Sequence, residues 1–244
     1  MANLLIDIGN TSGKFSYMNK EDFSEIYYWK TRDEKDLFNL IDKTSQEEIN
    51  IIVLSNVRTV SDSFEDKLRN ICKKLIVVDA YMDYPYKKLY DKYKTLGADR
   101  IAVLIGADYL FPNHNKIIFD FGTAITIDFL NKNGTYLGGN ISLGLHSRVV
   151  ATHQLTSLLP EIKINKDVRD IGISTDSAIE SGIVLGIMFE VKGYIEKYPD
   201  YQIIFSGGDA FYFADKMKNT IFVSCNLVLM GLSRIVKSEI EKNK

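Results

Sequence analysis

Short, continuous apolar runs at residues 4–8, 51–55, 75–78, 117–120 and 203–205 predict buried β-strands. Residues 13–17 and 25–29 read as antiparallel partners of the first run, and residues 124–129 and 135–140 as partners of the fourth. Asn133-Gly134 supplies a turn signal between the last two. Apolar positions at helical spacing, such as Leu37, Leu40 and Ile41, predict helices over residues 35–44, 61–73, 100–110, 177–197 and 228–242. A further helix is expected after Ser142-Leu143-Gly144. Each half therefore opens with an antiparallel meander and continues with the strand and helix alternation that implies parallel strands. Phe111-Pro112-Asn113-His114-Asn115 interrupts the pattern, so an α/β chain with domains at residues 1–115 and 116–244 is expected.

The apolar runs that open the two halves end alike. Asp7-Ile8-Gly9-Asn10-Thr11 and Asp120-Phe121-Gly122-Thr123-Ala124 lie 113 positions apart. Each places an acid, an apolar residue, a Gly and small hydrogen-bonding residues at the tip of a strand. An acid beside backbone N–H groups in a tight turn suits magnesium and phosphate oxygens. The first copy extends through Ser12 and Gly13 to Lys14, a cation that can meet phosphate, and Thr123 can donate to a phosphate in the second. Neither copy is a P-loop, which needs Gly-Lys-Ser/Thr opening a helix. The pair predicts phosphoryl transfer in a cleft with one such turn on each wall; a plain hairpin turn is the simpler reading of either copy alone. Asp128 shares strand parity with Asp120 and reads as structural.

Other clusters allow two readings each. Gly97-Ala98-Asp99-Arg100 precedes an apolar helix, where an acid is held as an anion by free N–H groups and the helix dipole. Asp99 is then either an N-cap or the base for an alcohol, with Arg100 free to grip a carboxylate. Gly138-Gly139 and Ser206-Gly207-Gly208-Asp209 mark turns or close approaches to a ligand. Ser174-Thr175-Asp176 precedes a helix whose small residues Ser181, Gly182 and Gly186 suit internal packing or a subunit interface.

Composition removes several function classes. Thirty basic and thirty-two acidic residues give a net charge of −2, so no case for nucleic acid arises. The basic stretch at residues 86–94 is the local exception, a solvated face or a field that steers an anion. Cys72 and Cys225 form no C-x-x-C pair, and His114, His146 and His153 lack metal-ligand spacing. No run approaches the ~20 apolar residues of a membrane span, and no leader pattern opens the chain. A cytoplasmic protein that engages neither membrane nor nucleic acid is expected.

Taken in order, Asp7-x-Gly-Asn-Thr with Lys14, Gly97-Ala98-Asp99-Arg100, Asp120-x-Gly-Thr-Ala, Gly138-Gly139 with Gly144-Leu145, and Ser206-Gly207-Gly208 resemble the type III pantothenate kinase family. The resemblance runs from residue 3 to about residue 232. It implies two ribonuclease H-like domains of mixed sheet flanked by helices, with an ATP cleft between them, as in the acetate and sugar kinase, Hsp70 and actin superfamily. It implies phosphorylation of pantothenate to 4′-phosphopantothenate, the first step of coenzyme A biosynthesis, by a cytoplasmic homodimer using ATP, magnesium and potassium or ammonium. Residue by residue, it implies that Asp7, Ile8, Gly9, Asn10, Thr11, Ser12, Gly13, Lys14 and Thr123 contact ATP and that Asp99 is the proton acceptor. Tyr90, Gly97, Ala98, Asp99, Arg100 and Thr175 would contact pantothenate, Thr175 from the partner subunit. Asp120 would ligate the monovalent cation, and Asp7 magnesium. Tyr93, Leu143 and Ser206 stand where the family commonly has Pro, Pro and Thr. The other classes left open are a nucleotide-binding accessory protein without turnover and an actin-like or Hsp70-like ATPase.

Overall fold

The computed structural model describes residues 1–19, 22–29, 33–82, 95–217 and 220–242. The chain folds as two compact units: residues 1–112, 134–136 and 226–244 form the first, and residues 113–133 and 137–225 the second.

In the first unit, β1 (Ala2–Ile8), β2 (Gly13–Asn19) and β3 (Asp22–Trp29) form the expected meander. Helix α1 (Glu34–Thr44), strand β4 (Ile49–Asn56), helix α2 (Phe64–Asn70) and strand β5 (Cys72–Val77) follow, giving a sheet in the order β3-β2-β1-β4-β5. β1 pairs antiparallel with β2 and parallel with β4. Strand alternation sorts the side chains of β1. Leu4, Ile6 and Ile8 join Phe15, Trp29, Leu37, Ile41 and Phe64 in the core under α1 and α2. Asp7 faces the other way, to the side where α3 (Ala98–Leu110) and α7 (Leu227–Lys242) pack.

The second unit repeats the plan. β6 (Lys116–Phe121), β7 (Ala124–Leu130) and β8 (Tyr136–Leu143) form the meander, followed by α4 (Leu145–Gln154), α5 (Thr175–Lys197), β9 (Gln202–Gly207), α6 (Ala210–Ala214) and β10 (Phe222–Val223). The sheet order β10-β9-β6-β7-β8 is that of the first sheet, element for element. Ile117, Phe119 and Phe121 join the core that α5 covers with Ile183, Val184, Ile187 and Val191. Asp120 takes the opposite face, as Asp7 does, and so does the fully buried Asp128, which pairs with Ile118. A capping box between Ser174 and Ser177 starts α5, and Gly134 takes φ 73° at the turn read from Asn133-Gly134.

The observed units differ from a division at residues 115 and 116 in one large respect. The last helix, numbered with the second half, packs on α3, β1 and β4 of the first unit. Its apolar stripe of Leu227, Leu232, Ile235 and Val236 is buried there. Helix α2 is shorter than residues 61–73, because β5 begins pairing with β4 at Cys72. Helix α3 begins at Ala98, earlier than residue 100, and the short α6 and β10 carried no periodic signal.

Candidate functional site

In the first unit the site is built at the tip of β1. Gly9 N–H donates to the Ser12 carbonyl at 3.1 Å, closing the turn that carries Asn10, Thr11 and Ser12 into solvent. Gly13 is required by packing, since any Cβ there would enter the Trp29 indole. Asp7 sits opposite Lys14 on β2 and Ser55 on β4. The Ser55 hydroxyl donates to Asp7 Oδ1 at 3.0 Å, and Lys14 Nζ stands 3.7 Å from Oδ2. Burial raises the Asp7 pKa most; Lys14 and Ser55 pull it back, and the charge of Asp99 raises it further. Asp7 is therefore a buried carboxylate whose protein partners do not fully compensate it. That is a fitting seat for a cation, and hydrated magnesium is commonly held through one or two carboxylates and phosphate oxygens.

The coupling to Asp99 has a structural cause. Val57 N–H donates to the Ile8 carbonyl, and Val57 also lies beside Gly97, the N-cap of α3. The ends of β1 and β4 thus meet the first turn of α3. Asp99 is the second residue of the helix, so it is not the N-cap; its Oδ1 accepts from the Arg100 backbone N–H at 2.7 Å. Arg100 Nη2 donates to the Tyr136 hydroxyl at 2.8 Å. Tyr90 and the basic stretch at residues 86–94 lie outside the described residues.

The second unit builds the matching turn. Gly122 N–H donates to the Ala124 carbonyl, and the Thr123 carbonyl accepts from Gly144 N–H and from Ser147 Oγ. Asp120 sits opposite Thr126 on β7 and Ser206 on β9, so each acid has a serine on its parallel neighbour. Gly207, at φ 88°, lies under the convergent Asp120 Oδ1 and Phe121 carbonyl. A Cβ would fill that cradle of a carboxylate and a carbonyl oxygen, the hard donor type that potassium and similar cations take. Asp209 N–H donates to the Phe121 carbonyl, and burial raises the Asp209 pKa against the pull of His146.

A profile of the type III pantothenate kinase family matches residues 3–197. A type III pantothenate kinase from Phocaeicola vulgatus is 34% identical over 238 residues, covering 96% of this chain and 97% of the relative. The chain belongs to the type III pantothenate kinase family. A solved Campylobacter jejuni protein assigned to the Baf family of transcriptional activators shares the fold at a TM-score of 0.67 and 23% identity, over 98% of this chain and 99% of that one. The activator of 2-hydroxyisocaproyl-CoA dehydratase from Clostridium difficile, with bound ADPNP, matches at a TM-score of 0.59 and 16% identity, over 100% and 97% of the chains. Two five-stranded mixed sheets flanked by helices are the architecture of this chain, and these two solved proteins share its fold.

For a type III pantothenate kinase, the structure brings Asp7, Lys14, Gly97, Ala98, Asp99 and Arg100 to one end of the first unit's sheet and puts Asp120 and Thr123 at the matching tip of β6 in the second. Thr175 is exposed at the start of α5. Sequence reasoning missed Ser55 and Tyr136. A hydroxyl ends the apolar run at residues 51–55, but its pairing with Asp7 carried no local signal, and Tyr136 carried none either. No group of three or more His, Cys, Asp and Glu side chains among the described residues forms a protein-only metal cage. No helix among them is long and apolar enough to cross a membrane.

Proposed function

We propose that this chain transfers the γ-phosphoryl group of ATP to the primary hydroxyl of pantothenate, forming 4′-phosphopantothenate as the first step of coenzyme A biosynthesis in the cytoplasm. Membership of the family supports the substrate. The observation that carries the chemistry is that the ends of β1 and β4 meet the first turn of α3, where Val57 joins the Ile8 carbonyl to Gly97, which sets Asp7 of the phosphate-type turn near Asp99. Asp99 accepts the hydroxyl proton as the new O–P bond forms and the bond to the ADP oxygen breaks. Residues 7–14 hold the ATP phosphates, with donors at Asn10 and the Lys14 ammonium, and Thr123 adds a donor. Bound at Asp7, magnesium supplies neutralisation of phosphate charge, and positioning and charge account for most of the rate enhancement. Gly97, Ala98, Arg100 and Tyr90 shape the pantothenate pocket, and Asp120 holds a monovalent cation in the cradle above Gly207.

Turnover with ATP tests the reading, using pantothenate, pantetheine and simple sugars as acceptors. Pantothenate should be consumed in a magnesium-dependent reaction, and activity in potassium or ammonium should stand well above that in sodium. Asp120→Ala should blunt the monovalent response first. Equal rates in sodium and potassium would remove the role given to Asp120, and ATP binding without turnover of any acceptor would leave an accessory protein.

The working form in this reading is a homodimer. A Cβ added at Gly182 of α5 would meet nothing within 4 Å, so Gly182 is not spent on packing inside the unit, whereas Ser181 is buried there and a Cβ on Gly186 would meet Arg148. Ile171, Ile173 and Phe189 are 79%, 76% and 64% exposed near Gly182 in sequence, an apolar surface that a subunit contact would cover. Gly182→Leu should lower dimer content and activity together. Mixing inactive Asp99→Asn with inactive Thr175→Arg should restore part of the turnover through hybrid dimers. An active monomer by light scattering at assay concentration refutes the arrangement.

A further inference from the structure

Helix α3 carries Asp99 in its first turn, where the N-cap Gly97 makes no side-chain hydrogen bond and Arg100 reaches Tyr136. A second fixed point lies one turn further on. A Cβ placed on Gly231 of α7 would stand well inside 3.0 Å from the Ala102 carbonyl oxygen, a distance that real Cβ atoms essentially never reach. A Cβ on Gly106 of α3 would stand 2.6 Å from the Leu227 carbonyl oxygen and 3.2 Å from Gly231 N. The two helices approach backbone to backbone at two levels, with the Leu227 side chain also against Gly106. Beyond these levels, the Arg234 guanidinium lies 4.0 Å over the Tyr109 ring, and Glu239 pairs with Lys74 on β5.

Contact between small residues shows only that helices approach. The informative point is its place: Ala102 is three residues after Asp99, so the carbonyl that Gly231 meets belongs to the turn that follows the acid. A helix moves nearly as a rigid rod over so short a distance. We infer that α7 sets the position of Asp99, with Gly231 as a positioning residue for proton transfer and Gly106 as its counterpart on α3. The inference rests on the reading of Asp99 as the proton acceptor. It assigns to the last helix a part in catalysis that none of its own side chains performs.

Gly231→Ala tests it. One methyl group forces the helices apart, and misplacement of a catalytic group by about 1 Å costs on the order of 10²-fold in rate. kcat should fall by roughly that factor while KM for ATP changes far less, because the three atoms nearest the added methyl all belong to Ala102 of α3 and none to β1 or β2. Hydrogen exchange should rise at the amides of residues 99–102 and stay constant at residues 7–14. Gly106→Ala inserts a milder clash and gives the same signature at lower amplitude if Gly231→Ala folds poorly. Val236→Ala, a buried position on α7 where a side chain is shortened, serves as the control for lost stability. It should weaken the fold and leave kcat of the folded enzyme unchanged.

A folded Gly231→Ala with unchanged kcat and unchanged exchange overturns the inference. So does a loss in which kcat, KM and exchange throughout the chain move together, the mark of general destabilisation. If kcat is unchanged but exchange rises at residues 99–102, α7 holds α3 and the reading of Asp99 as the base is what has failed; Asp99→Asn with full turnover would mark the same failure.

Discussion

Asp99→Asn should lower turnover by roughly 10²-fold or more while the fold and the ATP affinity persist. Asparagine keeps the size of the side chain and an oxygen that can accept from Arg100 N–H, the bond that Asp99 Oδ1 makes at 2.7 Å. What it removes is the lone pair able to take a proton. The electrostatic side effect has the opposite sign to a loss of cosubstrate binding. The charge of Asp99 raises the Asp7 pKa, so its removal lets Asp7 ionise more easily and favours a cation there. A fall in kcat with steady KM for ATP therefore points to the missing base and not to a damaged phosphate turn. Asp99→Ala, which loses the hydrogen bond as well, should add a modest stability loss to the same defect. Near-full turnover of the Asn variant would reduce Asp99 to a helix-terminal acid.

The features legible in the sequence were those written locally. Apolar runs ending in Asp-x-Gly marked both strand tips, and the repeat they form is the repeat of the two sheets, each a meander followed by parallel strands. The acids' placement was legible because strand parity and turn chemistry act over a few residues. Ser55 and Ser206 took their places opposite Asp7 and Asp120 through parallel pairing across 48 and 86 positions, which no local pattern encodes. Tyr136 reaches Arg100 in the same long-range way. The clearest departure is α7. Its amphipathic pattern was plain, but such a pattern states that a face is buried and not what buries it. Here the face is buried by α3, β1 and β4 of the first unit. Short elements such as α6 and β10 were lost because five and two residues are too few to show a period.

The glycine pair at the end of β9 provides the last test, because its two members stand in opposite situations. Gly207 adopts φ 88°, a region that costs an L-residue about 1–2 kcal/mol. Its Cβ would also stand 2.5 Å from Asp120 Oδ1 and closer still to the Phe121 carbonyl oxygen, and forced contacts of this kind cost about 1–3 kcal/mol. Neither neighbour yields cheaply. Phe121 belongs to the core strand β6, its ring stacked with Phe213 and edge-on to Phe205, and its carbonyl accepts from Asp209 N–H. The group left to move is the Asp120 carboxylate, the proposed cation ligand. Gly207→Ala should therefore destabilise the protein by roughly 2–5 kcal/mol in chemical denaturation and abolish the difference between potassium and sodium in whatever activity survives. Gly208→Ala is the contrast, since a Cβ there has nothing within 4 Å and the backbone is outside the left-handed region. It should change stability little and leave the cation response intact. If the two alanines behave alike, the cradle over Gly207 is not what holds Asp120 in place, and the monovalent site must be sought among other oxygens.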